Sequence, residues 1–144
     1  MARDFEGAIK EYRGAIEKEP NNPMGHYRLG AAQLAKGDLA EAELSWQGGI
    51  RFAGKDPKIR AKLLFVLADL RERQRNQDEA IARWKEYAQH VQSQPEARGF
   101  PATAVEREKR NVEWKQLSAD SLAVKDRIEK RLKETEESMR KSSK

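Results

Sequence analysis

Three segments of the chain align with one another at offsets of 34 and 38 residues, and this spacing limits the possible folds more than any other feature. Asp4-Phe5-Glu6-Gly7-Ala8-Ile9-Lys10-Glu11-Tyr12 matches Asp38-Leu39-Ala40-Glu41-Ala42-Glu43-Leu44-Ser45-Trp46, and both match Asn76-Gln77-Asp78-Glu79-Ala80-Ile81-Ala82-Arg83-Trp84. Ala8, Ala42 and Ala80 correspond, as do Tyr12, Trp46 and Trp84. A unit of this length holds two helices and a turn. It cannot bury an apolar face alone, so successive units must stack. Two antiparallel helices approach closely only where side chains are small. Gly30 is therefore expected to face Ala42, and Ala68 to face Ala80, with the aromatic positions filling the space between units.

Capping chemistry marks the helix ends. Asn22-Pro23 and Asp56-Pro57 read as an N-cap followed by Pro at the first helical position. Asp38 with Glu41, and Asn76 with Glu79, read as capping boxes. Gly37 is placed to end the preceding helix. These signals predict helices near 4–18, 23–36, 39–53, 57–75 and 77–93. The four extra residues before the third copy predict an added helical turn or a longer loop. Ala, Glu, Lys, Arg and Leu make up more than half of the chain, which supports helices throughout. Ile, Val and Thr are too scarce for an extensive sheet.

With these positions in view, the chain resembles the tetratricopeptide repeat (TPR) family. That pattern asks for Leu-Gly on the first helix, Ala-x-x-x-aromatic on the second, and a closing Pro. Leu29-Gly30, Ala42 with Trp46, and Pro20 match, and Leu67-Ala68 stands for Leu-Gly in the last copy. There are departures. His26 and Gln33 stand where the family prefers Trp and Tyr, and Gly54 replaces the second closing Pro. The resemblance implies an all-α array of helical hairpins, a right-handed α-solenoid of about 2.5 repeats over residues 1–93, followed by a long C-terminal helix. In this frame the first helix is the second half of its own repeat. Its partner is expected upstream of Met1, so the chain reads as a fragment of a larger protein.

Ser93 to Pro101 holds two Pro and a Gly and reads as a connector, assigned to 94–102. Thr103 with Glu106 suggests a new capping box, and residues 103–144 read as one charged helix. Its first half, around Val105, Val112 and Trp114, is expected to cap the last repeat, and its end to fray. Trp114, Leu117, Val124, Ile128 and Leu132 form a sparse apolar stripe that could mediate homo-oligomers. The net charge of +5 sits mostly here, since residues 98–144 hold 13 Lys/Arg against 9 Asp/Glu. Glu side chains alternate with the cations at helical spacing, which favours ion pairs over a phosphate-binding surface. Nucleic acid is thus not the expected partner.

The residues do not converge on chemistry. Cys is absent, which removes disulfides, thiol nucleophiles and thiolate metal sites. His26 and His90 lie on different predicted helices, with no His-Glu-x-x-His pair. His26 is expected to pack in the aromatic slot and His90 to face water. Gly48-Gly49 is followed by neither a P-loop Lys nor a dinucleotide pattern. No catalytic residue, metal or cofactor is expected, and the chain does not read as an enzyme. No apolar run is long enough to span a membrane, and no signal peptide is evident, so a cytoplasmic location is the default expectation.

The resemblance implies a protein-interaction adaptor or scaffold that takes a peptide or partner protein on the concave face, lined by the first helix of each repeat. The candidates are Met24, Tyr27, Arg28, Ala31 and Leu34 on one helix, and Lys62, Phe65, Asp69, Glu72 and Arg73 on the next. Tyr27 and Phe65 would be aromatic anchors. The sub-class that grips chaperone tails uses Lys, Asn and Arg. Tyr27, Ala31, Lys62 and Val66 occupy the corresponding places, and only Lys62 fits, which argues against that ligand.

Overall fold

The computed structural model describes residues 4–143. Its helices begin and end on local chemistry. α1 (Phe5–Lys18) starts where the Asp4 carboxylate accepts from Gly7 N. α2 (Pro23–Lys36) starts at Asn22, whose side chain accepts from Met24 N. α4 (Pro57–Arg73) starts at Asp56, which accepts from Lys58 N and Ile59 N. α5 (Gln77–Ser93) starts at Asn76, which accepts from Glu79 N. Each satisfies donors that a helix N-terminus leaves free. α3 (Leu39–Phe52) differs from expectation, because Asp38 makes no capping bond. Its carboxylate turns to Lys36 at 3.3 Å, and Lys36 also reaches Glu6 at 2.7 Å. Nor does Glu79 complete a capping box, since its carboxylate is taken by Arg71 at 2.5 Å.

α2 and α4 end alike. Gly37, at φ +101°, lets Asp38 N reach Gln33 O and Gly37 N reach Leu34 O. In α4 the same left-handed position falls to Arg75 at φ +56°, with Asn76 N on Arg71 O and Arg75 N on Glu72 O. This is the Schellman arrangement in both places. The four extra residues are thereby accounted for: α4 has 17 residues where α2 has 14, and its following turn is one residue longer.

Six α-helices and one short 3-10 turn (Pro95–Ala97) account for the regular structure of the described residues, without a strand. The chain is an all-α array of stacked helical hairpins. α1 packs on α2, α2 on α3, α3 on α4 and α4 on α5, and α4 also touches α2. The repeat positions form the interior. Ala42, Trp46 and Leu67 lie in one cluster, Ala68, Ala80 and Trp84 in the next, and Leu29 with Ala8 and Tyr12 in the first. Gly30 meets Trp46, and a Cβ there would overlap the indole. The indole Nε1 donates to Tyr27 O at 3.0 Å, which fixes the ring across the gap that glycine leaves. Gly49 is buried against His26 and Leu63. Arg71 ties three helices, pairing with Glu43 of α3 and Glu79 of α5.

The last helix, α6 (Pro101–Ser142), opens at Pro101 and not after Thr103. Proline fits the first turn, where an amide would have no partner. Residues to Asn111 belong to the first of two units, and residues from Val112 on form the second. In the first unit the side chains of α6 that pack are Ala104, Arg107 and Asn111, while Val105 is 53% exposed. The part of the cap that lies in the first unit is therefore largely polar.

Candidate partner-binding cleft

α2, α4 and the connector after α5 enclose a cleft of about 440 Å³. Tyr27 comes from α2. Lys58, Ala61, Lys62, Phe65 and Val66 come from α4, Tyr87 from α5, and Ala97 to Phe100 from the connector. Successive positions on α4 one turn apart, 58, 61/62 and 65/66, put two cations and an apolar strip on one face. Phe65 is held by edge-on contacts to Trp84 (5.0 Å) and Tyr87 (5.5 Å). The connector is fixed by a hydrogen bond from Phe100 N to the Tyr87 hydroxyl at 2.9 Å, and by Gly99, where a Cβ would overlap Val91. Ala97 is buried, and Phe100 presents a ring that is 65% exposed. Lys58, Lys62 and Arg98 border the cleft, and no Asp or Glu is among its lining residues.

Of the ten candidate binding residues, this cleft unites Tyr27, Lys62 and Phe65. Met24 and Leu34 are half-buried on α2, with Leu34 packed on the core, and Arg28 and Ala31 are exposed outside the cleft. The other three are taken up within the chain. Asp69 accepts from Arg107 and from Arg73, each at 2.7 Å. Glu72 has a side chain only 7% exposed, so it cannot face a partner. It accepts from Trp84 Nε1 (3.0 Å), Arg107 Nε (2.9 Å), Arg110 (2.5 Å) and Asn111 Nδ2 (3.1 Å). Burial pushes the Glu72 carboxyl up. The donated hydrogen bonds, Arg107 and Arg110 foremost, outweigh this and hold it below the ordinary glutamate range. Arg107 is raised by the reverse of the same contacts, against its own burial, and its guanidinium lies 4.7 Å over the Trp84 ring.

The sequence reading missed Ala97 to Phe100 as cleft residues and Arg107 to Asn111 as the seal of the last hairpin. His90 is also not a wet residue. It is half-buried, with Nε2 2.9 Å from Pro57 O, much as His26 Nε2 lies 2.9 Å from Pro20 O and stacks on Phe52 at 5.5 Å.

An array of helical hairpins with small residues at the crossings, indoles between hairpins and an open aromatic cleft defines a helical-repeat scaffold. A family model described as TPR repeat matches residues 4–37, the stretch that forms α1 and α2. Those two helices are thus similar to a TPR repeat. No curated protein matches the chain. TPR repeats generally mediate protein–protein interaction and are typically non-catalytic. No helix of the described residues is long and apolar enough to cross a membrane.

Proposed function

We propose that the chain is a protein-interaction adaptor whose cleft between α2, α4 and the connector takes an extended segment of a partner protein. The observation that carries this reading is the character of the cleft. Four aromatic rings line it, and Lys58, Lys62 and Arg98 border it without a carboxylate among the lining residues. Such a site suits an apolar or aromatic side chain flanked by Asp or Glu, because the rings supply contact area and the cations select the flanks. Tyr27, Lys62 and Phe65 serve as anchors here, with Phe100 as a fourth contact.

The test is selection of random peptides displayed on phage against the full chain. Peptides with an apolar residue beside acidic ones should be enriched. Lys62→Glu and Phe100→Ser alter exposed side chains and leave the core intact, and either should weaken the selected peptides about tenfold. Enriched peptides that are basic, or binding unchanged in both variants, would overturn the assignment.

A further inference from the structure

Between Val112 and Ser143 every residue is exposed, and the helix runs without Gly or Pro. Three of its apolar residues and two pairs of an apolar with a hydroxyl residue follow an eleven-residue period, with Leu122 off it. Leu117, Ile128 and Met139 are eleven apart, as are Ser121 and Leu132, and Val124 and Thr135. Eleven residues in three turns keep such positions on one line along the axis. The stripe from Leu117 to Met139 extends about 33 Å. Its large members are 64% (Leu117), 46% (Val124), 54% (Ile128), 59% (Leu132) and 65% (Met139) exposed.

We propose that this stripe is the contact face of a homodimer, so that its occupant is the same stripe of a second copy. The flanking charges identify that occupant. Asp120 and Arg131 stand on one flank, directly before the stripe positions Ser121 and Leu132. Lys125 and Glu136 stand on the other, directly after Val124 and Thr135. In a parallel pair, the residue before a seam position faces the residue five further on in the other chain. Asp120 then faces Lys125 of the second copy, and Arg131 faces Glu136. The two-fold axis repeats both pairs, so all four are of opposite sign. An antiparallel pairing sets each flank against its own reverse, so Asp120 pairs with Arg131 of the second copy and Lys125 with Glu136, again all of opposite sign. Pairing centred on Ile128 also sets Ser121 near Thr135, so the flanks complement a second copy in either orientation.

Sedimentation equilibrium of the full chain over a range of concentrations tests this. The expected result is a shift toward twice 16.5 kDa. Ile128→Asp with Leu132→Asp should raise the dissociation constant at least tenfold while far-ultraviolet circular dichroism stays that of a folded helical chain. Asp120→Lys with Glu136→Arg sets like charges together in either orientation and should weaken the dimer about tenfold, and adding Lys125→Asp and Arg131→Glu should restore it. On oxidation Ser121→Cys alone should cross-link a parallel dimer, and Ser121→Cys mixed with Thr135→Cys an antiparallel one, in a chain that has no other cysteine. A monomer at all concentrations, or a dimer indifferent to the stripe substitutions, would overturn the proposal. A dimer that cross-links in neither case would overturn the stripe as its contact face.

Discussion

Replacing Glu72 by Gln should destabilise the chain by about 2 kcal/mol. Glutamine keeps the shape but removes the charge that four donors share. Hydrogen bonds to a charged group contribute roughly 1.5–3 kcal/mol each and neutral ones about 1 kcal/mol, so the gross loss is several kcal/mol. Three offsets reduce it. Arg107 keeps Asp69 at 2.7 Å, the Arg110 side chain is 44% exposed and can turn to water, and the neutral amide is cheaper to bury than a carboxylate. The midpoint of thermal unfolding should fall by roughly 5–10 °C. Urea unfolding followed by circular dichroism measures the difference. pH supplies a second arm. A carboxyl held low in the folded state stabilises it above the unfolded-state value, and the contribution fades as pH falls toward the folded-state value. The gap between wild type and Glu72→Gln should therefore be full near neutrality and close in acid. A loss below about 0.5 kcal/mol at neutral pH would mean that these contacts behave as ordinary surface ion pairs, and the reasoning would fail.

Backbone and packing give further expectations, each read as a shift in the urea midpoint. Gly30→Ala should cost about 1–2 kcal/mol, because overlap with the Trp46 indole outweighs the gain in helix propensity. Gly14→Ala, whose Cβ would meet nothing, should instead stabilise by about 0.5–1 kcal/mol. Arg75→Gly should stabilise by about 0.5–1 kcal/mol, since it relieves an L-residue held at φ +56°.

The array was legible in the sequence because its determinants are local. Asn22-Pro23, Asp56-Pro57 and Gly37 set helix ends through contacts within a few residues, and Ala42, Trp46, Ala80 and Trp84 recur at the period of the hairpin. What was not legible depends on distant partners. Glu72 sits among Arg71, Arg73 and Arg75, and nothing nearby in the sequence separates it from the other candidates for the concave face. Its partners Arg107 and Asn111 lie 35 and 39 residues away. An apolar search for the cap of the last hairpin passed over them in favour of Val105 and Trp114. The Pro and Gly residues of the connector announced a break, but only the Tyr87 hydroxyl on Phe100 N explains why the break folds into the cleft. Tyr27, Lys62 and Phe65 come together in one cleft because they lie on α2 and α4, the first helices of their hairpins.

Amide chemical-shift mapping of a selected acidic, apolar peptide titrated into the full chain addresses the central claim most directly. The account predicts perturbations centred on Tyr27, Lys62, Phe65 and the segment Arg98 to Phe100, and their loss with Lys62→Glu. Perturbations confined to α1, to α3 or to the helix beyond Val112 would contradict it.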